Sequence, residues 1–138
     1  MAQIHLEVVT PERKVFEASV DRVEIPGLDG ELGILPGHTE LVSQLKPAGL
    51  LTYHIGEERG QMSVSDGFVE VTANRVVVLA DRAARPEDID LKKALALKEQ
   101  AEQKLARAQK DSAVDAFEAA AELERATIES NLASGLQK

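Results

Sequence analysis

Hydrophobic and polar positions follow two different periods along this chain of 138 residues. In the first part the period is two. Ile4, Leu6 and Val8 alternate with His5 and Glu7, which turns one face of an extended segment inward. The stretch from Val20 to Ile25 alternates again through Val23 and Ile25. Leu50 to Ile55 and Gln61 to Ser65 flank Gly56-Glu57-Glu58-Arg59-Gly60, which predicts a hairpin with a longer loop. Thr10-Pro11-Glu12-Arg13, Asp66-Gly67 and Ala73-Asn74-Arg75 punctuate the rest and set off Phe68 to Val71 and Val76 to Ala80 as strands. Short strands with a turn signal roughly every 8–12 residues predict an antiparallel sandwich or flattened barrel.

Beyond Pro86 the period lengthens to that of a helix. Pro86 stands just ahead of a helix start, Asp90 is the expected N-cap, and Glu87 and Asp88 lie near the positive end of the dipole. A first helix is expected from Leu91 to about Gln109, with Ala94, Leu97, Ala101, Leu105 and Ala108 as its apolar stripe. Lys110-Asp111-Ser112 makes a turn, and Ser112 with Asp115 resembles a capping box. A second helix is expected from about Ala113 to about Ala133, with a thin stripe of Val114, Phe117, Ala121, Ile128 and Leu132. So thin a stripe buries little area, at roughly 25 cal/mol per Å². The second helix is therefore expected to be weakly held.

Composition sharpens the division. Eight of the nine glycines lie at or before Gly67, and five alanines precede Ala83 while most of the rest follow Arg85. Glycine turns with β-branched runs point to sheet, and alanine with Glu and Lys points to helix. The boundary is placed at residues 83–87: a β-sandwich over 1–84 and an antiparallel helical hairpin over 85–138.

The net charge of -8 disfavours a nucleic-acid binder, whose phosphate-contacting face needs clustered Lys and Arg. It divides unevenly. Residues 1–84 hold 7 basic and 13 acidic side chains, and 85–138 hold 9 and 11. Within the second part, Leu91 to Lys110 is mostly basic, and the segment from Ser112 onward is acidic apart from Arg125 and Lys138. Antiparallel neighbours of opposite charge attract, although an exposed pair is worth only ~0–1 kcal/mol. The absence of cysteine excludes disulfides, thiol nucleophiles and thiolate zinc sites. The longest aliphatic run, Val76 to Ala80, is far short of the ~20 residues that cross a bilayer. Met1-Ala2-Gln3-Ile4-His5 carries no signal-peptide pattern, so an intracellular protein is expected.

Candidate chemistry is sparse. Gly27, Gly30, Gly33 and Gly37 invite a phosphate-loop reading, but no Lys-Ser/Thr follows, and Asp29 and Glu31 would repel a phosphate. Tight turns in a β-domain are the better account. His5, His38 and His54 lie on separate segments, and no metal site is expected. His38, beside Pro36 and Gly37, reads as a surface contact. Ser63 and Ser65 alternate with Met62 and Val64 and are expected on an outward face. No catalytic constellation is visible, and neither enzyme activity nor a cofactor is expected.

Gly30-Glu31-Leu32-Gly33-Ile34-Leu35-Pro36-Gly37-His38, with Asp66 to Val71 and Val76 to Asp81, resembles the epsilon subunits of F-type ATP synthases. The opening Ile4 to Glu12 fits the same family, and the likeness covers essentially the whole chain. It implies a sandwich of about ten strands followed by two antiparallel helices. It also implies a non-catalytic rotor component, bound to the gamma subunit and resting on the polar loops of the membrane c-ring. The turn carrying Glu31 and His38 would face the c-ring, and the sandwich side with the helices would face gamma. Such a protein works at the cytoplasmic face of a bacterial inner membrane, without entering the membrane itself.

In this family the two helices can extend along gamma into the alpha/beta hexamer and inhibit ATP hydrolysis, through basic residues on the terminal helix. This sequence departs from that pattern, because its terminal helix is net acidic. Some members bind ATP in the folded hairpin through Ile/Leu-Asp-x-x-Arg-Ala. Here the match is Ile89, Asp90, Lys93 and Ala94, with Lys where the pattern has Arg. An ammonium cannot imitate the planar fork of a guanidinium, so ATP binding is expected to be weak or absent. Two other readings stay open at this point: a generic β-sandwich adaptor with a helical tail, and a small nucleotide-binding regulator built on Asp90 and Lys93.

Overall fold

The computed structural model describes residues 2–135, in two compact units that meet in sequence at Arg85 and Pro86. The first holds eight strands: β1 Ile4–Val9, β2 Lys14–Val20, β3 Arg22–Gly27, β4 Gly30–Ile34, β5 Leu41–Gln44, β6 Gly49–Ile55, β7 Glu58–Thr72 and β8 Arg75–Ala84. Neighbours run in the order β2-β1-β8-β7-β6-β3-β4, and β5 adds to β7. All pair antiparallel except β1 and β8, which run parallel with Leu6 opposite Val76 and Val8 opposite Val78.

The long strand β7 serves both layers. Its first half pairs with β6 and its second half, from Phe68, pairs with β5. The change of direction falls at Asp66 and Gly67, with φ of 56° and 109°. Gly67 is required twice over, for its backbone angle and because a side chain there would run into the Leu79 carbonyl of β8. Asp66-Gly67 thus bends a strand without ending it, and the expected strands at 61–65 and 68–71 are one. The expected run from Val20 to Ile25 is instead broken at Asp21, where β2 passes to β3. Gly30 to Ile34, read as a turn, is a strand paired along β3 with Gly27 opposite Gly30 and Val23 opposite Ile34. Eight strands stand among the described residues in place of about ten, because a bent strand does the work of two short ones.

Period-two alternation fills the core as expected. Ile4, Leu6 and Val8 from β1, Val23 and Ile25 from β3, and Val76 and Val78 from β8 all point inward. Leu51, Met62 and Val64 face them from the other layer. The rule fails at Ser63 and Ser65, which are each only 1% exposed. Alternation reveals an outward face only where that face meets water, and over residues 62–65 both faces of β7 are covered. The Ser63 Oγ finds no partner among the described residues.

The second unit contains a short turn of 3₁₀ helix at Pro86–Asp88, then α1 (Leu91–Ala108) and α2 (Ala116–Ser134). Asp90 caps α1 by accepting the Lys93 N–H at 3.2 Å. Asp115, not Ser112, caps α2 by accepting the Glu118 N–H at 3.1 Å. The helix starts later than expected because the Asp111 carboxylate takes the Ala113 N–H at 2.9 Å and holds that residue in the turn. Alanines form the seam, with Ala94 and Ala101 buried on α1 and Ala119 and Ala126 on α2. Small side chains let the two axes approach closely. The expected stripes hold at Ala94, Ala101 and Leu132, miss Ala119 and Ala126, and fail at Leu97 and Phe117, which are 42% and 74% exposed.

Opposite charges do pair across the seam: Lys104 Nζ lies 3.2 Å from Glu122 and 3.7 Å from Glu118. The Glu122 hydrogen bond, ahead of the Glu118 charge, raises the Lys104 pKa. Five residues of α2 are buried (Ala119, Ala126, Glu129, Ser130, Leu132) against two in α1. Lys138, half of the basic pair read on this segment, lies outside the described residues. No helix of the described residues is long and apolar enough to cross a membrane.

Candidate functional site

Strand register assembles a surface that no single segment announces. On the outer face of the layer β2-β1-β8-β7-β5, one cross-strand row reads Lys14, Val9, Leu79, Phe68, Gln44. The next reads Glu17, Glu7, Val77, Glu70, Val42. Phe68 and Leu79 are direct cross-strand partners, 52% and 50% exposed, and Val42 on the same face is 68% exposed. Large apolar side chains gathered on a sheet face and left in water mark a site of association.

The β1–β2 side of this face is an ion-pair network. Glu7, only 9% exposed, meets Arg75 Nη2 at 2.6 Å, Lys14 Nζ at 3.7 Å and His5 Nε2 at 3.4 Å. Glu17 lies 3.0 Å from Lys14 and 2.6 Å from His5. The Lys14 hydrogen bond, then that of His5, lowers the Glu17 pKa, and Glu17 in turn raises that of Lys14. Oxygen and nitrogen atoms of His5, Glu7 and Glu17 lie within 4.8 Å of one another, which invites a metal reading. The chemistry argues against it. Two carboxylates are already balanced by the permanent cations of Lys14 and Arg75, which a divalent ion would have to displace. Half of this cluster was legible, since His5 and Glu7 share a strand face by period two. Glu17 enters only through the register that sets it opposite Glu7.

Glu31 and His38 do not share a turn. Glu31 is exposed near the start of β4, opposite Pro26 and close to the Leu28-Asp29 tip. His38 is half-buried beyond the other end of β4, its Nδ1 2.7 Å from the Thr39 carbonyl. Glu31 sits on an edge, because β4 is the last strand in the sheet order, and His38 lies four residues beyond the end of that strand. Leu28 and Leu35, 48% and 58% exposed, flank the same edge.

The four residues of the nucleotide pattern form a helix start and not a cradle. The Ile89 N–H donates to the Pro86 carbonyl at 3.3 Å, and the Asp90 carboxylate is engaged as the N-cap. Ala94 is buried, its N–H donating to the Asp90 carbonyl at 2.9 Å, while Lys93 is exposed.

Known proteins agree with this architecture. A family model described as ATP synthase, Delta/Epsilon chain, beta-sandwich domain matches residues 3–86. A second, ATP synthase, Delta/Epsilon chain, long alpha-helix domain, matches residues 87–132. The ATP synthase epsilon chain of Dehalococcoides mccartyi is 48% identical over 106 residues, covering 77% of this chain and 75% of the relative. That of Halalkalibacterium halodurans is 42% identical over 127 residues, 92% and 94% of the two chains. A chain in the cryo-EM structure of the Euglena gracilis mitochondrial ATP synthase OSCP/F1/c-ring matches with a TM-score of 0.77 and 28% identity. It covers 99% of this chain and 83% of that one. A chain of the Tetrahymena thermophila mitochondrial central stalk/c-ring shares the fold, with a TM-score of 0.51 at 17% identity. With both halves matched and the relatives covered over most of their length, the chain belongs to the ATP synthase delta/epsilon family, as a non-catalytic epsilon subunit of the F-type enzyme.

Proposed function

We propose that the outer face bearing Phe68, Leu79 and Val42 is where the sandwich docks on the gamma subunit, and that the β4 edge from Glu31 to His38 rests on the polar loops of the c-ring. The exposed Phe68–Leu79 pair carries the first assignment. A half-exposed Phe and Leu on a flat sheet gain roughly 0.8–1.5 kcal/mol each when a partner covers them fully, and the ion-pair rim sets orientation. The second assignment rests on the polar, exposed character of Glu31, on its place in the edge strand β4 and on the short segment that leads from that strand to His38. The protein thereby couples c-ring rotation to gamma during ATP synthesis, at the cytoplasmic face of a bacterial membrane.

The docking role belongs to residues 1–84 and a regulatory role to the hairpin over 85–138, which engages the alpha/beta subunits when extended. No cofactor is needed for either. Co-purification with a cognate gamma subunit tests the first assignment. Leu79→Asp should weaken capture at least tenfold while leaving the urea midpoint of the isolated chain close to that of the wild type. Undiminished capture by Leu79→Asp and Phe68→Asp together would move the gamma surface elsewhere. For the c-ring edge, Glu31→Lys should uncouple proton flow from synthesis without loss of gamma binding.

A further inference from the structure

The end of the β-unit carries a three-part stack that none of the docking roles uses. The Arg85 guanidinium carbon lies 5.4 Å from the centroid of the Phe16 ring. Phe16 in turn stacks on Tyr53, with centroids 4.6 Å apart and planes inclined at 29°. Tyr53 closes the series over Gly60, its direct cross-strand partner. Any side chain at Gly60 would run into the Tyr53 ring, so the glycine is the seat on which that ring lies. The stack thus ties together β2 (Phe16), β6 (Tyr53), β7 (Gly60) and the residue that follows the end of β8.

Arg85 is the last residue of the first unit, and β8 stops at Ala84. Beyond it Pro86 opens a new element and has no N–H with which to extend the ladder. A guanidinium is the side chain best suited to such a place, because its flat, weakly hydrated face lies on an aromatic ring where an ammonium would stay in water.

We infer that Arg85 on the Phe16–Tyr53 stack is a clamp that anchors the end of β8, so that any displacement of the helical unit begins at Pro86 and does not unzip the sheet. The clamp separates the order of the docking unit from the state of the hairpin. It stands on the geometry of the β-unit alone and does not depend on the hairpin being regulatory.

Amide hydrogen exchange of the full chain tests it. In Arg85→Gln the amides of Ala83, Ala84 and Arg85 should exchange about two- to fivefold faster, the factor corresponding to about 0.5–1 kcal/mol for an exposed cation–π contact. Amides from Arg75 to Val78 should not change. Arg85→Lys should fall between the two. Tyr53 is the only tyrosine in a chain without tryptophan, so its fluorescence reports on the stack directly and should change in Phe16→Leu. Unchanged exchange at residues 83–85 in Arg85→Gln would overturn the clamp, as would acceleration spread evenly along β8. If Phe16→Leu fails to fold, Arg85→Gln alone decides.

Discussion

The side chain of Asn74 accepts a hydrogen bond from the Gly37 backbone N–H at 3.2 Å, across 37 residues of sequence. Both residues have left-handed backbones, φ 55° at Asn74 and 82° at Gly37. The Asn74 carbonyl also accepts from the His5 N–H at 2.9 Å, so one turn residue holds the start of β1 and the segment that carries His38. Asparagine is one of the few residues besides glycine that takes this conformation readily. Asn74→Gly keeps the backbone and removes the bond, and should cost about 0.5–1.5 kcal/mol. Asn74→Ala should cost about 1–2 kcal/mol more, for the strained backbone. Urea denaturation of the three proteins checks the order. Equal stability of the two variants would mean that the turn does not need its left-handed residue.

The bend in β7 makes a stronger demand. Gly67→Ala meets both a φ of 109° and the Leu79 carbonyl. Backbone strain and overpacking each cost about 1–3 kcal/mol, so a loss of roughly 2–6 kcal/mol is expected. Gly33→Ala, where the space beside the glycine is open, is the control and should lose less than about 1 kcal/mol. Thermal unfolding followed by circular dichroism distinguishes them.

Acid should weaken the join between β2, β3 and the β6–β7 turn. Asp21 accepts the Gly56 N–H at 2.6 Å and the Gln3 side-chain amide at 3.2 Å, and these bonds, the Gly56 one foremost, lower its pKa below the ordinary 3.8. A carboxyl whose folded pKa is depressed contributes stability above its unfolded value and loses that contribution as pH falls through the folded value. The wild type should therefore be more stable than Asp21→Asn at pH 7, with the gap closing below about pH 4. A gap that stays constant down to pH 2 would show that the Asp21 charge contributes nothing.

Asp90 separates capping from nucleotide binding. As the N-cap of α1, its replacement by alanine should cost about 0.5–2 kcal/mol of stability. Titration of the full chain with millimolar MgATP should release no heat in either the wild type or the variant. Heat that appears in the wild type and disappears in Asp90→Ala would restore the nucleotide reading.

Local rules that depend on neighbouring residues were legible along the chain. The alternation of Ile4, Leu6 and Val8, the cap at Asp90, and the basic first helix facing an acidic second one follow from side-chain chemistry within a few residues, and each stands in the folded protein. The Gly30 to His38 motif also pointed to the family that both halves match. Where pattern failed, the missing quantity was a distance between remote segments. The alanine seam of the hairpin, in place of the larger Leu97 and Phe117, depends on how closely two axes approach. The burial of Ser63 and Ser65 depends on what covers the second face of β7.

The sequence by itself determined the two units, most inward faces of the strands and the start of the first helix, because all of these are set by periodicity and by side-chain type. Tertiary structure alone decided that Glu31 lies on an edge strand, that Glu17 joins His5 and Glu7, and that Phe68 and Leu79 lie side by side in water. Strand order and register are agreements between segments tens of residues apart, and a one-residue slip would turn every one of these side chains to the other face.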